Sequence, residues 1–131
     1  MSVVYEGIFI IGTPIIKYKK VEKVKRFDEL DGSPFMKEIT KDIYIIEGTD
    51  IEIEDDIVFD TVTVGELGSI TTGGYEQYFI GMYVAIVGGD YNPQYSFIDD
   101  TEDKIRQTKE YLKDTFNYTG EVYSILTQYC G

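Results

Sequence analysis

The sequence predicts an α+β fold, with a mostly antiparallel sheet of about six strands and one long C-terminal helix followed by a short final strand. Strand-forming residues are abundant: aromatic residues make up 15% of the chain, with 12 Tyr and 7 Phe. The one convincing helical pattern comes late, after the strand-like runs. A small barrel-like sheet with a helix is the alternative arrangement. Residues 1–131 are expected to form a single domain, because one hydrophobic core suits that length.

The first third of the chain contains a β-hairpin signal. Asp31-Gly32 lies in a turn-forming cluster between two strand-like runs. We therefore expect residues 19–27 to pair with residues 35–46. The segment 17–26 has six basic side chains and one acidic one, and dense Lys on a strand opposes edge-to-edge pairing. It is predicted to be an exposed strand.

Apolar runs and alternation predict the other strands. They are expected at residues 3–19, with an interruption near Pro14, and at residues 51–54, 57–64, 75–87 and 122–129. In residues 51–54, alternation directs two Ile side chains inward and two Glu side chains outward. The centre of the segment 75–87, from Phe79 to Val87, is apolar on both faces, which predicts a central strand. The Gly-rich residues 65–74 are predicted to be a connection.

The helix is predicted over residues 97–116. Ser96 followed by Asp99 resembles a capping box at its start. A narrow apolar stripe would face the sheet, and it consists of Ile98, Ile105, Leu112 and Phe116. Acidic residues in the first turns and Lys residues later in the helix complement the helix dipole.

Charge is distributed unevenly along the chain. From Asp42 to Asp103 there are 15 carboxylates and no Lys or Arg. Residues 1–41 carry a net charge of +2 and residues 104–131 a net charge of +1, so +2 − 15 + 1 gives the net charge of −12 for the whole chain. Such a block sets a strong local field, which bears on partners and not on the fold.

The residues that are missing exclude catalysis by His and by Cys-His pairs, and nothing in the sequence singles out a pair of carboxylates for acid/base catalysis. The chain has no His and a single Cys, which excludes Ser-His-Asp and Cys-His catalysis, Cys/His zinc sites and an intramolecular disulfide. The glycines match neither dinucleotide-binding nor P-loop patterns. The acidic run 50–56 lacks the spacing of an EF-hand, so a solvated strand face is the better interpretation and a Ca²⁺-dependent module the weaker one. We predict no enzyme activity, no cofactor and no metal.

The N-terminal segment has no basic region before its apolar run, and no stretch approaches 18 apolar residues. We therefore expect a cytoplasmic protein with no membrane partner. The basic segment 17–26 is the one candidate anion-binding patch, but a strongly acidic domain argues against direct contact with nucleic acid.

These features predict a non-enzymatic binding protein whose acidic surface engages a basic surface of a protein partner. In its sharpest form this is an inhibitor or immunity protein that mimics nucleic acid, with carboxylates where a nucleic-acid-binding enzyme expects phosphates. The predicted contact residues are Asp50, Glu52, Glu54, Asp55, Asp56 and Asp60.

The alternative prediction is a self-assembling structural subunit, for example of a viral or phage particle. The basic segment 17–26 of one copy would then meet the acidic block of the next copy, giving a homo-oligomer with a heterologous contact. The two predictions differ in whether the basic partner surface belongs to another protein or to this chain.

Overall fold

A computed structural model describes residues 5–72 and 77–130, in which six strands and two helices are formed. They are β1 (Tyr5–Phe27), β2 (Pro34–Ile46), β3 (Glu52–Ile53), α1 (Asp55–Phe59), β4 (Leu67–Thr71), β5 (Tyr78–Gly88), α2 (Thr101–Phe116) and β6 (Tyr123–Cys130). The strand order is β3-β2-β1-β5-β4, with β6 also paired to β1, and these pairings are antiparallel. The predicted mostly antiparallel sheet of six strands is confirmed.

Strand β1 lies at the centre of this sheet and pairs with β2, β5 and β6. It is 23 residues long, whereas strands usually have about 3–10 residues. Along one side it pairs with β5 as far as Ile15. Along the other side it pairs with β6 as far as Gly12 and then, from Ile15 to Phe27, with β2. The central part of the sheet is therefore four strands wide, in the order β6-β1-β5-β4, and beyond Lys17 only β1 and β2 continue.

The predicted interruption of β1 at Pro14 is wrong. The strand continues through this residue, and its register irregularity lies between Phe9 and Ile10. The Pro14 carbonyl accepts a hydrogen bond of 3.0 Å from the Glu47 N–H, which follows β2. In a strand the N and O atoms of one residue face the same side, so the missing N–H of Pro14 faces the junction between β6 and β2. A proline is tolerated there because no ladder bond is lost.

Glycines allow β1, β5 and β4 to approach closely. Gly12 in β1 is the partner of Gly81 in β5, which is in turn the partner of Gly68 in β4. A Cβ atom on Gly12 would lie 2.3 Å from the Ile80 carbonyl oxygen, and one on Gly81 would lie 2.2 Å from the Ile11 carbonyl oxygen. This row of three strands therefore requires glycine at its centre.

The core occupies both faces of the sheet. Phe79 and Ile80 are consecutive in β5, so their side chains point to opposite faces, and they belong to different clusters. The first cluster consists of Ile15, Tyr44, Ile46, Ile53, Val58, Ile80, Leu112 and Tyr118. The second consists of Ile8, Ile10, Ile70, Phe79 and Tyr83. The predicted central strand at residues 75–87 is confirmed as β5, which begins at Tyr78, and residues 75 and 76 lie outside the described chain.

Helix α2 is fixed to the first cluster by Leu112, whose side chain is fully buried. Replacing Leu112 with Ala is expected to lower the free energy of unfolding by about 3 kcal/mol, because apolar contacts are lost and a cavity remains. Urea denaturation measures this loss. Leu126→Ala is the control, since that side chain is 78% exposed and its removal should change the free energy by less than about 0.5 kcal/mol. Equal losses in the two variants would contradict this packing.

The predicted start of the helix at residue 97 is wrong, as is the capping box at Ser96. The helix begins at Thr101 and has 16 residues. Asp100 precedes it in the left-handed conformation, with φ of 48°, and makes no side-chain capping bond. This conformation stops the helix from extending backward. Asp99 is instead held by the Lys104 ammonium group, which donates to its carbonyl oxygen at 2.7 Å.

The predicted strand over residues 57–64 is also wrong, because its first part lies in α1. Asp55 and Asp56 occupy the first turn of this short helix, where carboxylates are favoured by the helix dipole. Of the apolar run that follows, only Val58 is buried. The strand forms later, as β4, within residues predicted to be a connection. Its centre, Gly68 to Ile70, is buried.

The predicted hairpin and the final strand are confirmed. Residues 19–27 pair antiparallel with residues 34–42, within one residue of the predicted partner segment 35–46, and Asp28 to Ser33 form the turn. Strand β6 pairs with the N-terminal part of β1. In the part of the chain that the structure describes, neither helix is long and apolar enough to cross a bilayer.

Candidate functional site

Beyond the part of β1 that pairs with β5, β1 and β2 continue as a two-stranded ribbon, residues 17–42, which we call the arm. None of its residues is buried. At the usual rise per residue, the stretch from Lys17 to Phe27 is about 33 Å long. An isolated two-stranded ribbon is only marginally stable in water. The protein therefore maintains a long exposed feature that does not contribute to its core.

The tip of the arm is ordered by local hydrogen bonds. The Asp28 carboxylate accepts a hydrogen bond of 2.7 Å from the Leu30 N–H, and the Gly32 N–H donates to the Asp28 carbonyl oxygen at 2.9 Å. Gly32 has φ of 69°, which glycine adopts without strain. The Leu30 side chain is 98% exposed at this tip. The turn therefore presents an apolar group to solvent on a defined backbone.

Ion pairs form where the arm leaves the rest of the sheet. Lys17 lies 3.4 Å from Asp42, and Lys41 lies 3.0 Å from Glu22 on the neighbouring strand. Lys20 lies 3.2 Å from Glu52 of β3, and the hydrogen bond and charge of that carboxylate raise the pKa of Lys20. Glu52, one of the predicted contact residues, is thus paired with a cation of its own chain. Exposed pairs of this kind contribute little to stability but orient the side chains.

The other basic side chains of the arm are available to a partner. Within residues 5–72 and 77–130, no carboxylate oxygen lies within 4.0 Å of their charged nitrogens. These residues are Lys19, Lys23, Lys25, Arg26 and Lys37. The Lys25 ammonium group lies over the Phe27 ring, 5.6 Å from its centre. The distal arm therefore combines cations with exposed aromatic surface.

Apolar side chains interleave with these cations. Val21, Phe27 and Met36 are each more than 60% exposed. They share one face of the ribbon, because Val21 and Phe27 are an even number of positions apart and Met36 lies opposite Lys25, which is on the same face. Such a surface resembles the anchors of protein interfaces more than a solvated ribbon. The sequence analysis predicted an exposed basic strand but did not identify this apolar component.

Charge in the folded chain separates into a basic arm and an acidic body. The arm carries eight of the 12 Lys and Arg residues and six carboxylates, a net charge of +2. The other residues, 1–16 and 43–131, which we call the body, carry four basic and 18 acidic groups, a net charge of −14. The sum, +2 − 14, is the net charge of −12. Without the three acidic residues of the tip, the arm has a net charge of +5.

Four of the six predicted contact residues line one shallow groove. Glu52, Glu54, Asp55 and Asp56 form one side of a groove of about 450 Å³ where β3 runs into α1. Its other side comes from Lys41 and Asp42 at the end of the arm and from Ile43 of the body. The remaining two predicted residues, Asp50 before β3 and Asp60 after α1, are exposed but do not line this groove.

The carboxylates of this region do not converge on a point. In the described part of the chain, no group of three or more acidic, Cys or His residues is arranged to hold a metal ion. Glu52 and Glu54 point outward from the short strand while Ile53 between them is buried, as the alternation predicted. The arrangement is an extended acidic surface, which favours contact with an extended basic one.

A second groove, of about 610 Å³, lies between α1 and the C-terminal end of α2, and we call it the helix groove. Its apolar lining is Ile51, Ile57 and Phe116. Its charged lining consists of Glu52, Glu54, Asp114 and Lys113. The sequence analysis missed this groove because it combines segments some sixty positions apart, and no local pattern joins them.

A third groove, of about 360 Å³, is lined by Tyr83 together with Glu6 and Tyr129. Tyr83 is 8% exposed, and burial raises its pKa to about 12, with smaller contributions from the other two side chains.

Because the pKa of the Tyr83 phenol is raised in the folded state, we expect the protein to lose stability at alkaline pH. Because the folded state holds this proton more tightly than the unfolded state, the stabilisation is complete below pH 10 and is lost as the pH rises to about 12. Denaturation curves for the wild type and Tyr83→Phe measure the effect, and the variant should lose less stability over this interval. The same loss in both proteins would assign the effect to other groups.

Comparison with protein-family models, with curated proteins and with solved structures gave no match to this chain.

Proposed function

We propose that this protein is a self-assembling structural subunit in which the basic arm of one copy contacts the acidic body of the next. The observation that carries the proposal is the separation of charge between an exposed ribbon and the rest of the chain. Opposite surface charges speed association and favour one relative orientation of the partners. Exposed apolar side chains on the same ribbon supply the contact area that charge alone does not.

The geometry of such a contact is heterologous, since two different surfaces of the same chain meet. A heterologous contact leaves one free arm and one free body at the ends of each complex, so it closes into a ring or continues as a filament. This property suits a repeating shell or tube, such as that of a viral or phage particle. It does not suit a two-fold dimer, in which both copies would use the same patch.

Light scattering after size-exclusion chromatography tests the proposal. The expected result is a species much larger than one chain at low salt, which becomes smaller as salt is raised. The salt dependence follows from screening, since the Debye length falls from about 30 Å at 0.01 M to about 3 Å at 1 M. A strict monomer at every salt and protein concentration would overturn the proposal.

A second candidate function is an acidic binding protein that occupies the basic site of a nucleic-acid-binding enzyme. It is favoured by Glu54, Asp55 and Asp56, which are exposed and, among the residues described, have no cation within 4.0 Å. Replacing these three residues with Ala should slow association with such a partner and reduce its dependence on salt. An unchanged association rate would exclude this surface as the contact.

A further inference from the structure

We infer that the helix groove is the place on the body that receives the arm of a second copy. This inference rests on the proposed function and specifies its contact. The arm carries cations and apolar side chains in alternation, and the helix groove carries carboxylates and apolar side chains together. The two surfaces are therefore complementary, since the cations of the arm can contact the carboxylates of the helix groove and the apolar side chains of both can pack together.

The helix groove has a mixed lining. Ile57 and Phe116 remain partly exposed although both pack at the edge of the first core cluster, so they offer apolar surface without weakening the core. Glu54 and Asp114 lie on the same groove, and both side chains are exposed. An ammonium group approaching there meets carboxylates, while the neighbouring apolar side chain meets the aliphatic and aromatic lining. A contact with an apolar centre and a charged rim is the usual anatomy of a specific interface.

Docking through side chains fits the arm better than adding a strand to its edge. From Ile16 onward, no strand within residues 5–72 and 77–130 pairs with the edge of β1 that faced β5, so strand addition would be the simplest alternative. Dense Lys on the β1 strand of the arm opposes this, because a new strand would bring its own side chains beside those charges. The ribbon faces, in contrast, present Val21, Phe27 and Met36 directly.

Two charge-reversal variants test the contact. The arm variant is Lys19→Glu with Lys25→Glu, both on the face of the ribbon that carries Val21, Phe27 and Met36. Lys25 lies opposite Met36, and Asp42, which lies opposite Lys19, keeps its ion pair with Lys17. The groove variant is Glu54→Lys with Asp114→Lys. The control is Asp90→Lys with Glu121→Lys, an equal change of charge at exposed carboxylates that do not line the helix groove.

Each variant is measured by light scattering at the salt concentration where the wild type assembles, with circular dichroism as a check on folding. The arm variant and the groove variant are each expected to weaken assembly at least 10-fold in concentration, and the control to assemble as the wild type does. A chain carrying both reversals should regain assembly, because the signs of the two surfaces are exchanged together. That recovery would be inconsistent with simple misfolding of either variant.

The outcomes separate the inference from the proposed function. If the wild type assembles but the groove variant assembles equally well, the helix groove is not the receptor surface, and the arm binds elsewhere on the body. The inference is likewise overturned if the arm variant and the groove variant both fail to assemble and the chain that carries both reversals does not regain assembly. If the wild type never assembles, the proposed function itself is wrong.

Discussion

Removing the arm is expected to abolish assembly while leaving the body folded. Replacing residues 21–40 with Asn-Gly would join Lys20 to Lys41, which lie opposite one another as a hydrogen-bonded pair of the ribbon, through a two-residue hairpin turn. Because no side chain of the arm is buried, the free energy of unfolding should change by less than about 1 kcal/mol. Light scattering should show a single monomeric species at every salt concentration at which the wild type assembles.

The matched control removes exposed aromatic surface from the body instead. Tyr91 and Tyr95 are 97% and 70% exposed and lie in the loop after β5. Replacing both with Ser should leave assembly unchanged. An arm-free chain that still forms the large species would show that the contact lies on the body alone.

Replacing Gly81 with Ala should be among the most destabilising single changes in this chain. The new Cβ atom would lie 2.2 Å from the Ile11 carbonyl oxygen and 2.6 Å from the Gly12 Cα atom, both of which belong to the backbone of β1. Backbone atoms held in a ladder cannot move aside as a flexible side chain can. We expect a loss of about 3 kcal/mol in the free energy of unfolding, measured by urea denaturation.

Gly7→Ala provides the comparison for this substitution. Gly7 also pairs with β5, but its added Cβ atom would lie 3.5 Å from the Val87 side chain, which is an ordinary contact. The loss there should be below about 1 kcal/mol. If Gly81→Ala is as mild as Gly7→Ala, the close approach of β1 and β5 is not required for stability.

The sequence was most informative where local chemistry and pattern agree. The turn at Asp28 to Ser33 was predicted from its residues, and the pairing of the flanking strands followed from it. The buried strand β5 was recognised because it is apolar on both faces. These features depend on short segments, so one sequence is enough to locate them.

The errors arose where tertiary context decides the structure. In the run from Ile57 to Phe59, β-branched residues suggested a strand, but only Val58 enters the core and the preceding acids begin a helix. Gly68 and Ser69 suggested a connection, yet both are buried in β4, where Gly68 lies beside Gly81 and Ser69 donates to the Val58 carbonyl oxygen at 3.1 Å. Neither contact can be read from neighbouring residues.

The candidate site was predictable in its charge and not in its shape. The lysine-free block drew attention to Glu52, Glu54, Asp55 and Asp56, which share one groove. It gave no sign that Glu52 would be paired with Lys20, 32 positions earlier in the chain. That pairing depends on the register of β1, β2 and β3, which is a property of the whole sheet.

The continuity of β1 has a mechanical consequence. The strand that forms half of the arm is the same strand that is hydrogen-bonded on both sides within the body. Ladder hydrogen bonds run perpendicular to the strands, so tension applied along the arm loads many of them at once in shear instead of peeling them one by one. A pull on the tip is thereby transmitted to the centre of the sheet, and neighbouring subunits linked through their arms would share an applied load.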